Sequence, residues 1–195
     1  MRALKYKMQY LIFSPLVWLL LMIKGAKCHG RSYWNGIPSI KKGKDSVFSI
    51  GGGCRFSCRF ASNRIGLYHT CMLTTEDNAV LEIGRGSGFS GVSIWCFKRI
   101  VIGNNVRVGA NVTIMDGDAH QDDPRAGMNK DVLIEDNVWI GANTMVMKGV
   151  TIGKNALIGA GSIVTKDIPS NVIAAGNPCK VIREINEETV KRLTI

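Results

Sequence analysis

Several things are scarce in this chain of 195 residues: Pro occurs 5 times, aromatic residues make up 7%, and His is found only at His29, His69 and His120. The first 64 positions hold a single acid, Asp45, against twelve Lys or Arg. No apolar run reaches the roughly 20 residues that a spanning helix needs. The longest, residues 8–23, is interrupted by Gln9, Ser14 and Pro15. A secretory signal is also disfavoured, because Lys24-Gly25-Ala26-Lys27 is a poor cleavage site. The six Cys (28, 54, 58, 71, 96 and 179) form no even framework, which argues against a disulfide scaffold and for a reducing cytoplasm. Aromatics interleaved with basic residues for base stacking are missing, so nucleic acid is not an expected partner.

What is present is a core: 46% of residues are hydrophobic, which excludes a disordered chain. The net charge of +10 is confined to the front, since residues 65–195 carry thirteen basic residues against fourteen acids. The second half also repeats every six residues. Ile134, Ile140, Val146, Ile152, Ile158 and Val164 fall six apart, and Ile102, Val108 and Ile114 keep the same step. A helix cannot hold that register, whereas an even period suits strands.

Four residues beyond each aliphatic stands a second small or apolar residue: Val106, Val112, Val138, Thr144, Val150, Ala156 and Ser162. Each unit therefore has two inward positions. Three residues beyond, the residue is always Asn or Gly: Asn105, Asn111, Asn137, Asn143, Gly149, Asn155 and Gly161. These types best tolerate positive φ, so the column predicts a sharp corner in every unit. Upstream the array is expected to continue raggedly through Ile83-Gly84 and Ile65-Gly66, and the step breaks between Ile114 and Ile134. The segment Gly117 to Gly127 lacks the aliphatic pattern and is predicted to be a loop leaving the array, where chemistry is commonly placed.

With Val138-Trp139-Ile140-Gly141-Ala142, the string Ile158 to Pro169 and Ala174-Ala175-Gly176-Asn177-Pro178 in view, the chain resembles the hexapeptide-repeat acyltransferases over about residues 50–185. The pattern is similar to galactoside, maltose and nodulation O-acetyltransferases and most like those of polysaccharide biosynthesis. The resemblance implies an all-β, left-handed parallel β-helix with an N-terminal helical segment, one loop excursion and a short C-terminal helix. The expected divisions are a basic helical and linker segment at 1–45, a catalytic β-helix at 46–170 and a C-terminal extension at 171–195. It also implies homotrimers, acetyl-CoA as co-substrate, no metal, and transfer of acetyl to a hydroxyl of a sugar or polysaccharide precursor.

His120 lies on the predicted excursion and matches the family's catalytic His. An imidazole titrating near neutrality suits a general base that takes a hydroxyl proton. Asp118 or Asp116 is expected to orient it. The resemblance places the oxyanion donor at the backbone N–H of Ala142, where many relatives have Ser. It places contacts to coenzyme A at Trp139, Ala142, Ala160, Thr165, Lys166, Lys180 and Arg183, the last ones suiting phosphates. The acid and Asn that hold galactosides in relatives are not matched here, and Ser90 is the candidate acceptor contact. His29 and His69 have no ligand motif around them.

Two readings remain open for the apolar segment: a helix packed on the end of the array, or an interfacial helix bringing residues 1–31 to an anionic membrane at its cytoplasmic face. Alternatives to O-acetyl transfer are a non-catalytic solenoid at the membrane surface and acyl transfer to a small non-sugar acceptor such as an amino acid or xenobiotic. A β-helical carbonic anhydrase is disfavoured, because the three His are far apart in sequence.

Overall fold

The computed structural model describes residues 2–193, with side chains over 8–192, so Lys5 and Lys7, the basic residues that precede the apolar segment 8–23, lie outside the described side chains. A helix, α1 (Arg2–Ile23), leads into a three-sided coil. Its first turn is β1 (Lys27–His29), β2 (Tyr33–Asn35) and β3 (Ser39–Lys42); its second is β4 (Val47–Gly51), β5 (Arg55–Ser57) and β6 (Met72–Thr75). The third is β7 (Val80–Ile83), β8 (Gly88–Ser90) and β9 (Ser93–Cys96), and the fourth is β10 (Arg99–Ile102), β11 (Arg107–Ala110) and β12 (Thr113–Met115). The fifth is β13 (Val132–Ile134), β14 (Trp139–Ile140) and β15 (Met145–Val146), and the sixth is β16 (Thr151–Ile152), β17 (Leu157–Ile158) and β18 (Ile163–Val164). After the sixth turn come β19 (Val172–Ala175), β20 (Lys180–Glu184) and α2 (Glu187–Leu193).

Strands of successive turns stack in parallel into three sheets. The first, second and third strands of each turn form sheets A, B and C, and β19 and β20 extend sheet B. The architecture is the expected left-handed parallel β-helix, and its first strands begin at Lys27, before the boundary expected at residue 46.

The six-residue columns account for the coil. Ile102, Ile114, Ile134, Ile140, Val146, Ile152, Ile158 and Val164 all point inward and are at most 1% exposed. The second inward column is equally buried, Thr144 and Ser162 included. Their hydroxyls are satisfied by the carbonyl of Gly159, at 3.2 and 2.6 Å. Every residue of the corner column has positive φ, from 55° at Asn105 to 78° at Gly149. The Gly that follows the aliphatic has a different purpose. A Cβ at Gly109 would come 2.6 Å from the backbone N of Ala142 in the next turn, so only Gly permits the turns to close up there.

Upstream the array departs from the expectation. Ile65 does not enter the core: it is exposed on a second excursion, residues 58–71, which contains the short 3-10 turn Phe60–Ser62. The core of the first turns is instead a ring stack on sheet B. Trp34 lies 3.8 Å from Phe56 and parallel to it, and Phe56 lies 4.8 Å from Phe89. The column then narrows through Val108, Ile140 and Ile158 to Ala174.

α1 closes the base. Val17 and Leu21 are fully buried against the coil, with Phe13 and Leu20 partly so. The edge strand β2 would otherwise leave the Trp34 N–H without a partner, and the hydroxyl of Ser14 accepts it at 3.0 Å. Replacing Trp34 by Ala empties the widest layer of the core and is expected to cost about 3–5 kcal/mol, read as a lower midpoint in urea unfolding.

Candidate active site

The predicted excursion leaves sheet C after β12 and returns at β13, spanning residues 116–131. Both of its ends are pinned. Asp116 is fully buried, and its carboxylate accepts the backbone N–H groups of Phe97, Lys98 and Arg99 at 2.6, 2.9 and 2.6 Å. Its carbonyl accepts the N–H of Lys130 at 2.9 Å, which ties the exit of the loop to its entry. Beneath it the Cys96 thiol donates to Asp116, and burial together with that negative charge holds the thiol protonated, well above its ordinary value. Asp116 is thus the anchor of the loop and is not a partner for His120.

Asp118 is occupied as well. It accepts from Lys148 Nζ at 2.5 Å and from the Gly127 N–H at 3.0 Å. The Lys148 contact, ahead of the others, holds its carboxyl below the usual range. Farther along, Asp123 forms an ion pair with Arg125 at 2.7 Å. His120 is exposed among these, and neither ring nitrogen has a partner among the described residues. It lines a shallow pocket of about 290 Å³ with Met115, Gly117, Asp118, Arg125 and Ala126. The expected Asp–His pair is therefore not formed within this chain: Asp118 shapes the pocket while bonded to Lys148.

An aromatic pair beside the pocket was not foreseen. Trp95 is in register with Met115 on sheet C and stacks on Phe97 at 4.7 Å, and its indole N–H donates to Glu76 at 2.7 Å. Phe97 in turn packs against Gly117, where a Cβ would meet its ring at 2.7 Å. Lys148 was missed too. Counting turns would have found it, because Ile114 pairs with Val146, so the residues that follow each of them at this corner are neighbours.

The remaining candidates sit elsewhere on the coil. Thr165 and Lys166 are exposed at the same corner between sheets C and A, two turns beyond the loop. Trp139 is exposed on sheet B, between Arg107 and Leu157. Ala142 and Ala160 lie at the corner between sheets B and C, and Lys180 and Arg183 lie exposed on β20 at the end of sheet B. Sheet C stands between Ala142 and the His120 loop. Ser90 is half-buried on β8 in sheet B, away from the pocket. His69 is used internally, with Nδ1 on the Thr70 carbonyl at 2.7 Å and Nε2 on the Ser93 hydroxyl at 3.3 Å. Among the described residues no group of three His, Cys, Asp or Glu is placed to hold a metal ion.

Two family models match the repeat. The model described as "Bacterial transferase hexapeptide (six repeats)" matches residues 131–166, and "Hexapeptide repeat of succinyl-transferase" matches 99–117. Over these stretches the chain is similar to the hexapeptide-repeat transferases. It is 54% identical over 97 residues to the galactoside O-acetyltransferase of Lactococcus lactis, covering 47% of this chain and 46% of that protein. The chain thus spans about half the length of the curated relatives it matches. Among solved structures, a hexapeptide-repeat acetyltransferase from Vibrio cholerae complexed with acetyl coenzyme A superposes with a TM-score of 0.52 at 27% identity, over 58% of this chain and 64% of that one. The polySia specific acetyltransferase NeuO gives a TM-score of 0.51 at 25% identity, over 86% and 95%.

Beyond the Asp116 anchor, the Asp118–Lys148 ion pair ties the middle of the loop to the coil, which yields a pH prediction. Because the folded-state value of Asp118 is depressed, the pair favours the ordered loop at every pH above the ordinary carboxylate range. That contribution is lost as pH falls through the depressed value. Lys148→Met removes the largest cause of the depression, so tryptic cleavage after the exposed Arg125 is expected to be faster in the variant at neutral pH. The difference between variant and wild type should vanish once Asp118 is protonated, as followed by an acid-tolerant protease cutting in the same loop.

Proposed function

We propose that this protein is an acetyl-CoA-dependent O-acetyltransferase acting on a hydroxyl of a saccharide, with His120 as general base. The observation that carries the reading is His120 itself: an exposed imidazole whose nitrogens have no partner among the described residues, on a loop pinned at Asp116 and Asp118, projecting from a hexapeptide-repeat coil. The free Nε2 or Nδ1 takes the proton of the acceptor hydroxyl as its oxygen attacks the thioester carbonyl. The proton then passes to the departing thiolate. The negative charge that develops on the carbonyl oxygen requires a fixed donor, and the Ala142 N–H, which makes no bond within the described chain, suits it.

The donor side is supported by free cations. Lys166, Lys180 and Arg183 are exposed, and none has a carboxylate within 4 Å among the described residues, so their charges are available for phosphates. Trp139 offers a flat apolar face for the pantetheine arm. On the acceptor side, the Trp95–Phe97 pair and Glu76 next to the pocket suit a pyranose, with its apolar face on the ring and a hydroxyl on the carboxylate. Six free cysteines suit a reducing cytoplasm.

His120 and Ala142 lie on opposite sides of sheet C, so the site is complete only where the loop of one protomer meets the B–C corner of another. This supports a closed ring of subunits, a homotrimer. His120→Ala is expected to lower kcat for acetyl transfer by about 10²–10⁴-fold with little change in KM for acetyl-CoA, measured by thiol release. Unchanged kcat would remove His120 from the chemistry. Ala142→Pro deletes the N–H donor and should also be inactive. Co-assembled His120→Ala and Ala142→Pro subunits should recover part of the activity, whereas mixed oligomers as inactive as either parent would place both groups in one protomer.

A further inference from the structure

We propose that the outward face of α1, with the basic rim of the first turn, docks this protein on an anionic lipid bilayer. α1 is apolar on two opposite faces, and the coil covers only one of them. At 100° per residue, Phe13, Val17, Leu20 and Leu21 share the covered face. Leu11, Ile12, Leu16, Trp18, Leu19 and Ile23 lie on the other, each more than half exposed. No charged or hydrogen-bonding side chain except the Trp18 indole N–H interrupts this second stripe between Met8 and Ile23. A continuous apolar face of this extent on the surface of a folded protein marks a contact site. Among the described residues no helix is long and apolar enough to cross a membrane, so the fit is to the interface rather than to a span.

Charge selects the occupant. Lys24, Lys27, Arg31, Lys41 and Lys44 are exposed around the base, in the linker after α1 and on the turn it covers. None of them has a carboxylate within 4 Å among the described residues. Against a second copy of this chain, base to base, the two rims would repel each other. Against acidic headgroups, every one of these cations gains a partner while the stripe enters the acyl boundary and Trp18 sits at headgroup depth. Such docking leaves the site open. The His120 loop leaves the fourth turn, three strand spacings or about 14 Å above the first.

The test is sedimentation of the full chain with vesicles of phosphatidylcholine containing about one-third phosphatidylglycerol, or of phosphatidylcholine alone. Binding is expected to the anionic vesicles, weaker with added salt, and far weaker to the neutral ones. The triple variant Leu11→Gln, Leu16→Gln, Leu19→Gln changes only the outward stripe. It should keep its thermal melt, its oligomeric state and its thioester cleavage, and lose vesicle binding. Lys27→Gln with Lys41→Gln should lower the partition coefficient roughly 25-fold. Wild type left in the supernatant, or a triple variant that binds as wild type does, would overturn the proposal. So would a triple variant that falls apart in light scattering, since the stripe would then be an interface between copies. A wild type that binds vesicles yet transfers no acetyl group would refute the enzymatic reading and leave the docking surface standing.

Discussion

Parallel stacking of the turns is the constraint on which the rest of the structure depends. Each strand takes its hydrogen bonds from the strands one turn below and above, at the spacing of a sheet, so every turn must bring the backbone back into the same register. Sharp corners achieve this, and Asn and Gly with positive φ supply most of them. Close approach of successive backbones then demands Gly at a different point of the unit, as at Gly109 beneath Ala142. What remains for the side chains is to fill a narrow triangular bore, which Ile and Val do from the fourth turn upward.

A coil held this way has two weaknesses, its open ends, and the chain treats them differently. At the far end β20 folds back antiparallel on β19 and α2 follows. At the base the bore is widest, filled by Trp34, Phe56 and Phe89, and α1 lies across it, with Ser14 completing the bond that β2 lacks. The helix buries only one of its apolar faces. Shielding the end of the sheet from edge pairing thus creates a second apolar face, and the basic residues gathered around it give that face its chemical character.

Rigidity of the coil is also what makes the excursions useful. A turn can eject a loop at a corner without disturbing the stack, provided that entry and exit are tied together. At 116–131 Asp116 does this with three backbone N–H groups and its own carbonyl. Its companion at 58–71 is fixed differently: the Asn111 side chain accepts from Tyr68 N and donates to the Gly66 carbonyl, and His69 is tied to Ser93. A three-sided shape also distributes function. Groups on adjacent corners are kept apart by the width of a sheet, which suits a site shared between protomers better than one contained in a single chain.

The period of six determined the fold, and it did so because its ingredients are local. Alternation decides which side chains point inward, and an Asn or Gly corner depends on the φ of one residue, so Asn137 or Ile152 could be placed without knowing any neighbour. Candidate chemistry was legible where it broke that period, as at His120. Ile65 was misread because the rule gives an aliphatic–Gly pair no means of distinguishing a turn from a loop. Only the tertiary structure decided the partners. Asp118 meets Lys148 thirty residues away, and Asp116 meets the turn at 97–99, because stacking brings corners of successive turns together. Which face of α1 is covered was likewise undecidable from a helix apolar on two opposite faces; it was set when Phe13, Val17 and Leu21 met the end of the coil.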